Sequence, residues 1–230
     1  MNILVLVNHN QKAEFEQKVA TLAISKVSYF NPEEEISAPN LQAYEMILDL
    51  RSNHTEASII EYSKLSNRII ILNTVYDNIA EYNYIIQNSK SIFVGINAMP
   101  GFINLPISEI SILKAENHEL LNKIFEKLNW QIKIIDNRIG MVTPRIICMI
   151  INEAYYTLQE KTASAADIDI SMKLGTNYPF GPFEWAEKIG IENVYNLLSN
   201  LYNDTKDERY KIAPLLKQER FFQKKLTNIM

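Results

Sequence analysis

Three histidines, His9, His54 and His118, and one cysteine, Cys148, are the side chains of this chain best suited to acid–base, nucleophilic or metal chemistry near neutral pH. Their placement argues against each role. The histidines are scattered and no cysteine cluster stands beside them, so no metal-ligand spacing exists. His9 falls in a loop after the first apolar run, where a single exposed histidine is more often neither a phosphate nor a metal ligand, and His54 and His118, next to helix starts, have equally weak claims. Cys148 sits inside an apolar helical pattern and reads as a buried structural thiol. The most specific stretch is ADIDISMKLGTNYPFGP, from Ala166 to Pro182. Ser164 and Asp167 have the spacing of a helix start, and Gly175 is placed to close that helix in the left-handed conformation. In the following turn, Tyr178-Pro179-Phe180-Gly181-Pro182, two prolines of fixed φ flank a flexible glycine. Such a turn either presents side chains to a cleft or simply corners two packed helices.

The elements that must position these residues fall into two halves. Apolar strand-like runs at Ile3–Val7, Val27–Phe30, Glu45–Leu50, Ile69–Leu72 and Ser91–Ile96 alternate with amphipathic segments at Ala13–Leu22 and Glu56–Leu65. That alternation predicts a mainly parallel sheet flanked by helices, hence an α/β domain. Glu109–Leu113 and Gln131–Ile135 add two strands, with a helix over Asn117–Leu128 between them, and the sheet domain is expected to end near Asn137. From Thr143 the pattern is helical: Thr143 is placed to cap, Pro144 suits the first helical position, and Ile147, Ile150, Ile151, Ala154, Tyr155 and Leu158 recur at helical spacing. Ile146 and Met149 widen that stripe beyond an ordinary surface helix, which predicts the centre of a helical domain or a subunit interface. The Glu33-Glu34-Glu35 run reads as a solvated loop. Lys217, Arg220, Lys224 and Lys225 around Phe221 and Phe222 read as an amphipathic closing helix.

Composition narrows the function classes. With 230 residues, 47% of them hydrophobic, the chain can bury one large core or two small ones, and a formal charge of −4 argues against a general nucleic-acid binder. The longest apolar runs, such as Ile146–Ile151, are too short to span a membrane, and MNILVLV lacks the basic leader and cleavage site of an export signal. A single cysteine excludes an intramolecular disulfide, and a reducing, cytoplasmic setting is expected. A nucleotide-binding sheet usually carries G-x-G-x-x-G after its first strand, because pyrophosphate must approach bare backbone at a helix N-terminus. Here Asn8, Asn10 and Ala13 stand at the three glycine positions, and all six glycines lie at Gly95 or beyond. Asparagine tolerates left-handed geometry, yet its side chain fills the space the phosphates would cross. Tight dinucleotide binding is therefore not expected.

The segments GMVTPRIICMIINEAYYTLQE, ADIDISMKLG, YPFGPFEWAEKIG, ENVYNLLSNLY and DERYKIAPLL, running from Gly140 to about Leu216, resemble in order and spacing the C-terminal domain of the L-3-hydroxyacyl-CoA dehydrogenase family. The resemblance implies a Rossmann-like sheet domain over residues 1–137 and an all-helical dehydrogenase C-terminal domain over 138–230, a homodimer formed through the latter, NAD as cofactor and an acyl-CoA substrate in fatty acid metabolism. It implies too that Tyr178, Pro179, Phe180, Gly181 and Pro182 lie near the acyl group. The family reaction uses a histidine to take the proton of the 3-hydroxyl and a glutamate to orient it, in the pattern G-x-H-F-F-N-P followed by L-V-E-V. The corresponding residues are Gly95-Ile96-Asn97-Ala98-Met99-Pro100-Gly101 and Ile107-Ser108-Glu109-Ile110, so the glutamate is kept as Glu109 and the histidine position is Asn97. An amide is no base near neutral pH. The family's S-N-T-S corresponds to Leu72-Asn73-Thr74-Val75, losing a hydroxyl, and its G-F-I-V-N-R to Gly140-Met141-Val142-Thr143-Pro144-Arg145, losing an asparagine. The excursion after the second strand that contacts coenzyme A in the family is shortened to residues 31–44. These departures favour a shortened, degenerate homologue that binds an acyl ligand without turnover. Two rivals stand beside it: an oxidoreductase using repositioned groups such as Glu109 with Tyr178, and a structural partner of an active dehydrogenase.

Overall fold

The computed structural model describes residues 1–31, 40–52 and 54–227, apart from the side chains of 9, 10 and 224–227. The Glu33-Glu34-Glu35 run and the side chains of His9, Asn10, Lys224 and Lys225 thus lie outside the described residues. The chain divides into two compact units between Met141 and Val142, each described by itself.

The first unit is a seven-stranded sheet of order β2-β1-β3-β4-β5-β6-β7. Its strands are β1 (Asn2–Leu6), β2 (Lys26–Phe30), β3 (Met46–Asp49), β4 (Ser66–Asn73), β5 (Lys90–Ile96), β6 (Ser108–Ile112) and β7 (Ile132–Ile135). All neighbours are parallel except β5 and β6, which are antiparallel. No helix lies between β5 and β6, and without a crossover two consecutive strands can only pair antiparallel. The helices are α1 (His9–Val19), α2 (Glu56–Ser63), α3 (Asn83–Ile86) and α4 (His118–Lys127).

Strands buried on both faces read as continuous apolar runs, and β3 and β4 meet that description. Met46, Leu48 and Leu50 pack with Phe15 of α1 and Leu121 and Phe125 of α4, whereas Ile47 packs with Ile59 and Tyr62 of α2 and with Ile86 of α3. Helices therefore cover opposite faces. The crossover from β1 runs outward to β2 while β3 lies on the other side of β1. A crevice consequently opens at the carboxyl ends of β1 and β3, the place where open α/β sheets hold ligands.

The second unit contains α5 (Thr143–Gln159), α6 (Ala165–Thr176), α7 (Pro182–Ile189), α8 (Ile191–Thr205) and α9 (Pro214–Thr227). The stripe on α5 buries Ile147, Cys148, Ile151, Ala154 and Tyr155, and α7, α8 and α9 pack against it. Cys148 has no exposed surface, and burial pushes its thiol well above the ordinary range, so it is a packing residue. Asn152 is the polar exception in that face: its amide donates to the Lys211 carbonyl at 2.8 Å and accepts from the Ala213 amide at 2.9 Å, fastening the segment before α9.

Three local expectations are corrected. The first helix, expected over Ala13–Leu22 after a loop holding His9, runs from His9 to Val19, because the Asn8–Gln11 capping box starts it early. Thr143 is the first helical residue rather than the cap, since Val142 precedes it and makes no side-chain capping bond. Gly175 lies inside α6, and the left-handed residue is Asn177 with φ 55°. Asparagine tolerates that conformation, and Pro179 disfavours helical geometry at Tyr178, so the helix runs on until the proline forbids it. The start of α6 agrees with expectation, Ser164 Oγ accepting from the Asp167 amide at 3.2 Å.

The edge-to-face pair of Phe125 and Trp130, 5.3 Å apart, anchors α4 to the sheet. Replacing the fully buried Phe125 by alanine should cost about 3–5 kcal/mol in urea denaturation, with the loss assigned to the sheet unit.

Candidate functional site

The crevice between β1 and β3 is occupied by the protein's own side chains. Asn8 caps α1 with φ −87° and ψ 173°, an extended conformation, so the freedom of a glycine is not used there. Its Oδ1 accepts from the Gln11 amide at 2.9 Å, and the Gln11 side chain returns a bond from the Asn8 amide at 3.3 Å. The other end of the Gln11 side chain crosses the crevice, donating through Nε2 to the carbonyl of Leu50 just beyond β3 and, at 3.4 Å, to that of Ala98 beyond β5. Gln11 is buried and Ala13 is exposed on α1, so Gln11, and not Ala13, fills this space. The same helix grips the β5–β6 connection: Glu14 accepts from the amides of Gly101 and Ile103 at 3.0 and 2.9 Å, and Lys18 donates to the Pro106 carbonyl at 2.9 Å.

A second buried amide completes the knot. Asn73, at the end of β4, donates to the Leu50 carbonyl at 3.1 Å and accepts from the amides of Val75 and Ala98 at 3.4 and 3.3 Å. Beside it, on the α2 side of the sheet, Asp49 is fully buried at the end of β3. Arg51 meets its carboxylate as a fork at 2.8 and 2.7 Å, and Tyr62 of α2 donates to it at 2.9 Å. Burial opposes the charge on Asp49, but the bonds from Arg51 and the nearby His54 ring outweigh it and hold the carboxyl well below the usual carboxylate range. The histidine next to the α2 start is thus no surface residue: the His54 side chain has no exposed area. His118 is exposed, 3.1 Å from the Asn122 amide. Among the described residues no group of three or more His, Cys, Asp or Glu could hold a metal, and no helix is long and apolar enough to cross a membrane.

Asn97 and Glu109 are brought into register, the Asn97 amide donating to the Glu109 carbonyl at 3.0 Å. The Asn97 side chain is buried and accepts from the Met99 amide at 3.3 Å, so its polar atoms shape the loop after β5. Gly95 is kept for a packing reason: a Cβ there would stand 2.2 Å from Thr74 Oγ1 and 2.4 Å from Ser111 Oγ. Glu109 belongs to the sheet unit and Tyr178 to the helical one.

In the helical unit, the Tyr178–Pro182 turn serves helix capping. Gly181 is the N-cap of α7 and has no side chain to offer, so Asp169 of α6 supplies the carboxylate, accepting from the amides of Phe183 and Glu184 at 2.8 and 3.3 Å. Only glycine leaves room, since a Cβ at position 181 would lie 2.3 Å from the Asp169 carboxyl carbon. Phe180 stacks edge-on against Trp185 at 5.0 Å, Tyr178 is half-buried and Pro179 is exposed. Asp169, Gln11, Asn73 and Asp49 were not distinguishable as key residues in the sequence. The one available signal was a charge, Asp49, closing an apolar run and followed two residues later by an arginine.

Residues 140–226 match the 3-hydroxyacyl-CoA dehydrogenase, C-terminal domain. A 3-hydroxyadipyl-CoA dehydrogenase of Escherichia coli K12 is 46% identical over 79 residues, 34% of this chain and 17% of that protein. A 3-hydroxybutyryl-CoA dehydrogenase of Bradyrhizobium diazoefficiens is 34% identical over 98 residues, 43% of this chain and 33% of that protein. The chain thus spans a third or less of these curated relatives in its matched stretch. The crystal structure of (S)-3-hydroxybutyryl-CoA dehydrogenase from Ralstonia eutropha superposes with a TM-score of 0.72 over 94% of this chain and 92% of that one, at 20% identity, which establishes a shared fold: a Rossmann-type sheet followed by a helical domain.

The Asp169–Gly181 contact yields a coupled prediction. Asp169→Ala should cost about 1–3 kcal/mol by orphaning the α7 amides. Gly181→Ala should also destabilise, but the double variant should lose less than the sum, because removing the carboxylate makes room for the methyl. Strict additivity in denaturant titrations would contradict the assigned contact.

Proposed function

With residues 140–226 belonging to the 3-hydroxyacyl-CoA dehydrogenase C-terminal domain family, we propose that this chain has kept the family's two-unit scaffold and set aside its hydride transfer. It acts instead as a binding or regulatory protein for an acyl-CoA or related acyl ligand. The observation that carries this reading is Gln11, laid across the β1–β3 crevice from α1 to the Leu50 carbonyl. The family cofactor, NAD, would place its pyrophosphate at the N-terminus of α1. There the Gln11 amide is already bonded to Asn8, and the Gln11 side chain holds the space, so the residues present do not fit the group. Asn97 adds a second, independent reason. An amide at the histidine position, with its oxygen accepting from the Met99 amide, offers no base for the 3-hydroxyl proton.

The acyl ligand is carried over from the family match, which includes the Tyr178–Pro182 turn. Assembly as a homodimer through the helical unit is supported by its exposed apolar residues: Ile146 on α5 and Ile170 on α6 are half exposed, and Leu174 is 82% exposed. That same surface favours, as a second reading, a structural partner that pairs with an active homologue.

The test combines turnover and binding. NADH oxidation with acetoacetyl-CoA should be absent for the unmodified protein and should stay absent for Asn97→His, because an imidazole cannot speed transfer to a cofactor that is not held. Acetoacetyl-CoA alone should raise the melting temperature; a ligand at 100 times its dissociation constant stabilises by roughly 2.7 kcal/mol. Robust NADH-dependent turnover by the unmodified protein would overturn the proposal and point to Glu109 as the first residue to replace.

A further inference from the structure

The buried cluster at the ends of β3 and β4 is not used by the proposed function. His54 stands at its centre. Its Nε2 lies 3.1 Å from the Asn73 carbonyl, which can only accept, so this nitrogen carries a proton. Its Nδ1 faces Asp49 Oδ2 at 3.5 Å and has no partner at hydrogen-bonding geometry. From the segment after β4 comes Asp77, one oxygen of which accepts from the Tyr82 hydroxyl at 2.7 Å while the other is buried without a hydrogen-bond partner. The charges that act on the ring are therefore Asp49 from β3, whose carboxylate also holds Arg51 and Tyr62 of α2, and Asp77, with Tyr82 bonded to Asp77. Charge counting shows what the ring must do. Asp49 and Arg51 cancel, the two tyrosines are neutral, and burial pushes both hydroxyls well above their ordinary range. Once ionised, Asp77 is left without a counter-charge unless His54 is protonated.

We propose that His54 is a proton-operated clamp: protonated, it balances Asp77 beside the Asp49–Arg51 pair and fastens the start of α2 to the ends of β3 and β4; neutral, it leaves an unbalanced buried carboxylate and the helix start loosens. The electrostatics agree with the geometry. Burial lowers the affinity of the ring for its second proton, but the close carboxylate of Asp49, the charge of Asp77 and the Asn73 carbonyl outweigh it, so His54 is raised above the ordinary value of 6.5. Burial likewise raises Asp77, only partly offset by Tyr82 and His54. The sign is the same for both groups. A folded-state value above the unfolded one gives stability that is complete at low pH and is lost as pH rises through the folded value. For His54 that window opens above 6.5.

Two readings on the unmodified protein test the clamp. Nuclear magnetic resonance titration of the three histidine rings should show His54 titrating above 6.5, with His54→Gln removing that signal and Asp77→Asn lowering its midpoint. Amide hydrogen exchange, corrected for base catalysis and followed from about pH 6 to about pH 9, should show protection at Ile59 and Tyr62 in α2 falling about tenfold for each unit by which His54 exceeds 6.5. The wild-type titration and exchange decide the matter even where a variant fails to fold. A His54 ring titrating at or below 6.5, or α2 protection that is flat across the range, would overturn the proposal.

Discussion

The carbonyl of Leu50 accepts from two buried side-chain amides, Gln11 of α1 and Asn73 of β4, and the carboxyl edge of the sheet depends on that shared acceptor. Both amides are almost fully buried, so leaving either unpaired would cost on the order of 1–3 kcal/mol. Each spends its remaining capacity on a neighbour: Gln11 on Asn8 and Ala98, Asn73 on Val75 and Ala98. The ends of β1, β3, β4 and β5 are thereby tied through four loops that would otherwise carry unpaired backbone groups. Asn97, bonded to the Met99 amide, continues the same arrangement into the β5–β6 connection.

This knot occupies the place where a doubly wound sheet is open to ligands, and under the proposed function it is what lets the scaffold persist without hydride transfer. A glycine-rich turn leaves helix amides bare for a phosphate; the Asn8–Gln11 capping box satisfies them internally and spans the crevice besides. The buried charges follow the same logic of internal satisfaction. Asp49 is held by Arg51, Tyr62 and His54, and Asp169 is spent on the α7 amides rather than offered to a cleft. Polar groups that would be functional in an open site are here structural, at the cost of burying them, and the His54–Asp77 pair is where that balance depends on a single proton.

How much of this was legible in the sequence follows from what carries a local signal. The seven strands and the helices over residues 56–63 and 118–127 are readable because buried runs such as IIIL and apolar residues at helical spacing mark elements directly, whereas the first helix, expected over Ala13–Leu22, begins four residues earlier because Asn8 and Gln11 cap it. The Ser164 cap is readable for the same local reason, whereas Gly175 misleads because Asn177, not the glycine, takes the left-handed conformation that closes the helix. Gln11 and Asn73 were not legible: a polar residue in the first turn of a helix or at a strand end looks solvated until the fold brings the Leu50 carbonyl to it. His54 is illegible for the same reason, its burial being set by β3, β4 and α2 together. The Tyr178–Pro182 turn was found as special, but its demand for glycine comes from Asp169, twelve positions earlier and in another helix.

The central claim, that Gln11 closes the nucleotide crevice, is tested most directly by following the Gln11 side-chain amide resonances while NADH is added. The account predicts resonances unchanged up to millimolar cofactor, with the slow exchange of a buried, hydrogen-bonded amide. Saturable shifts of Gln11 and Asn8, with faster exchange as the bond to Leu50 opens, would contradict it.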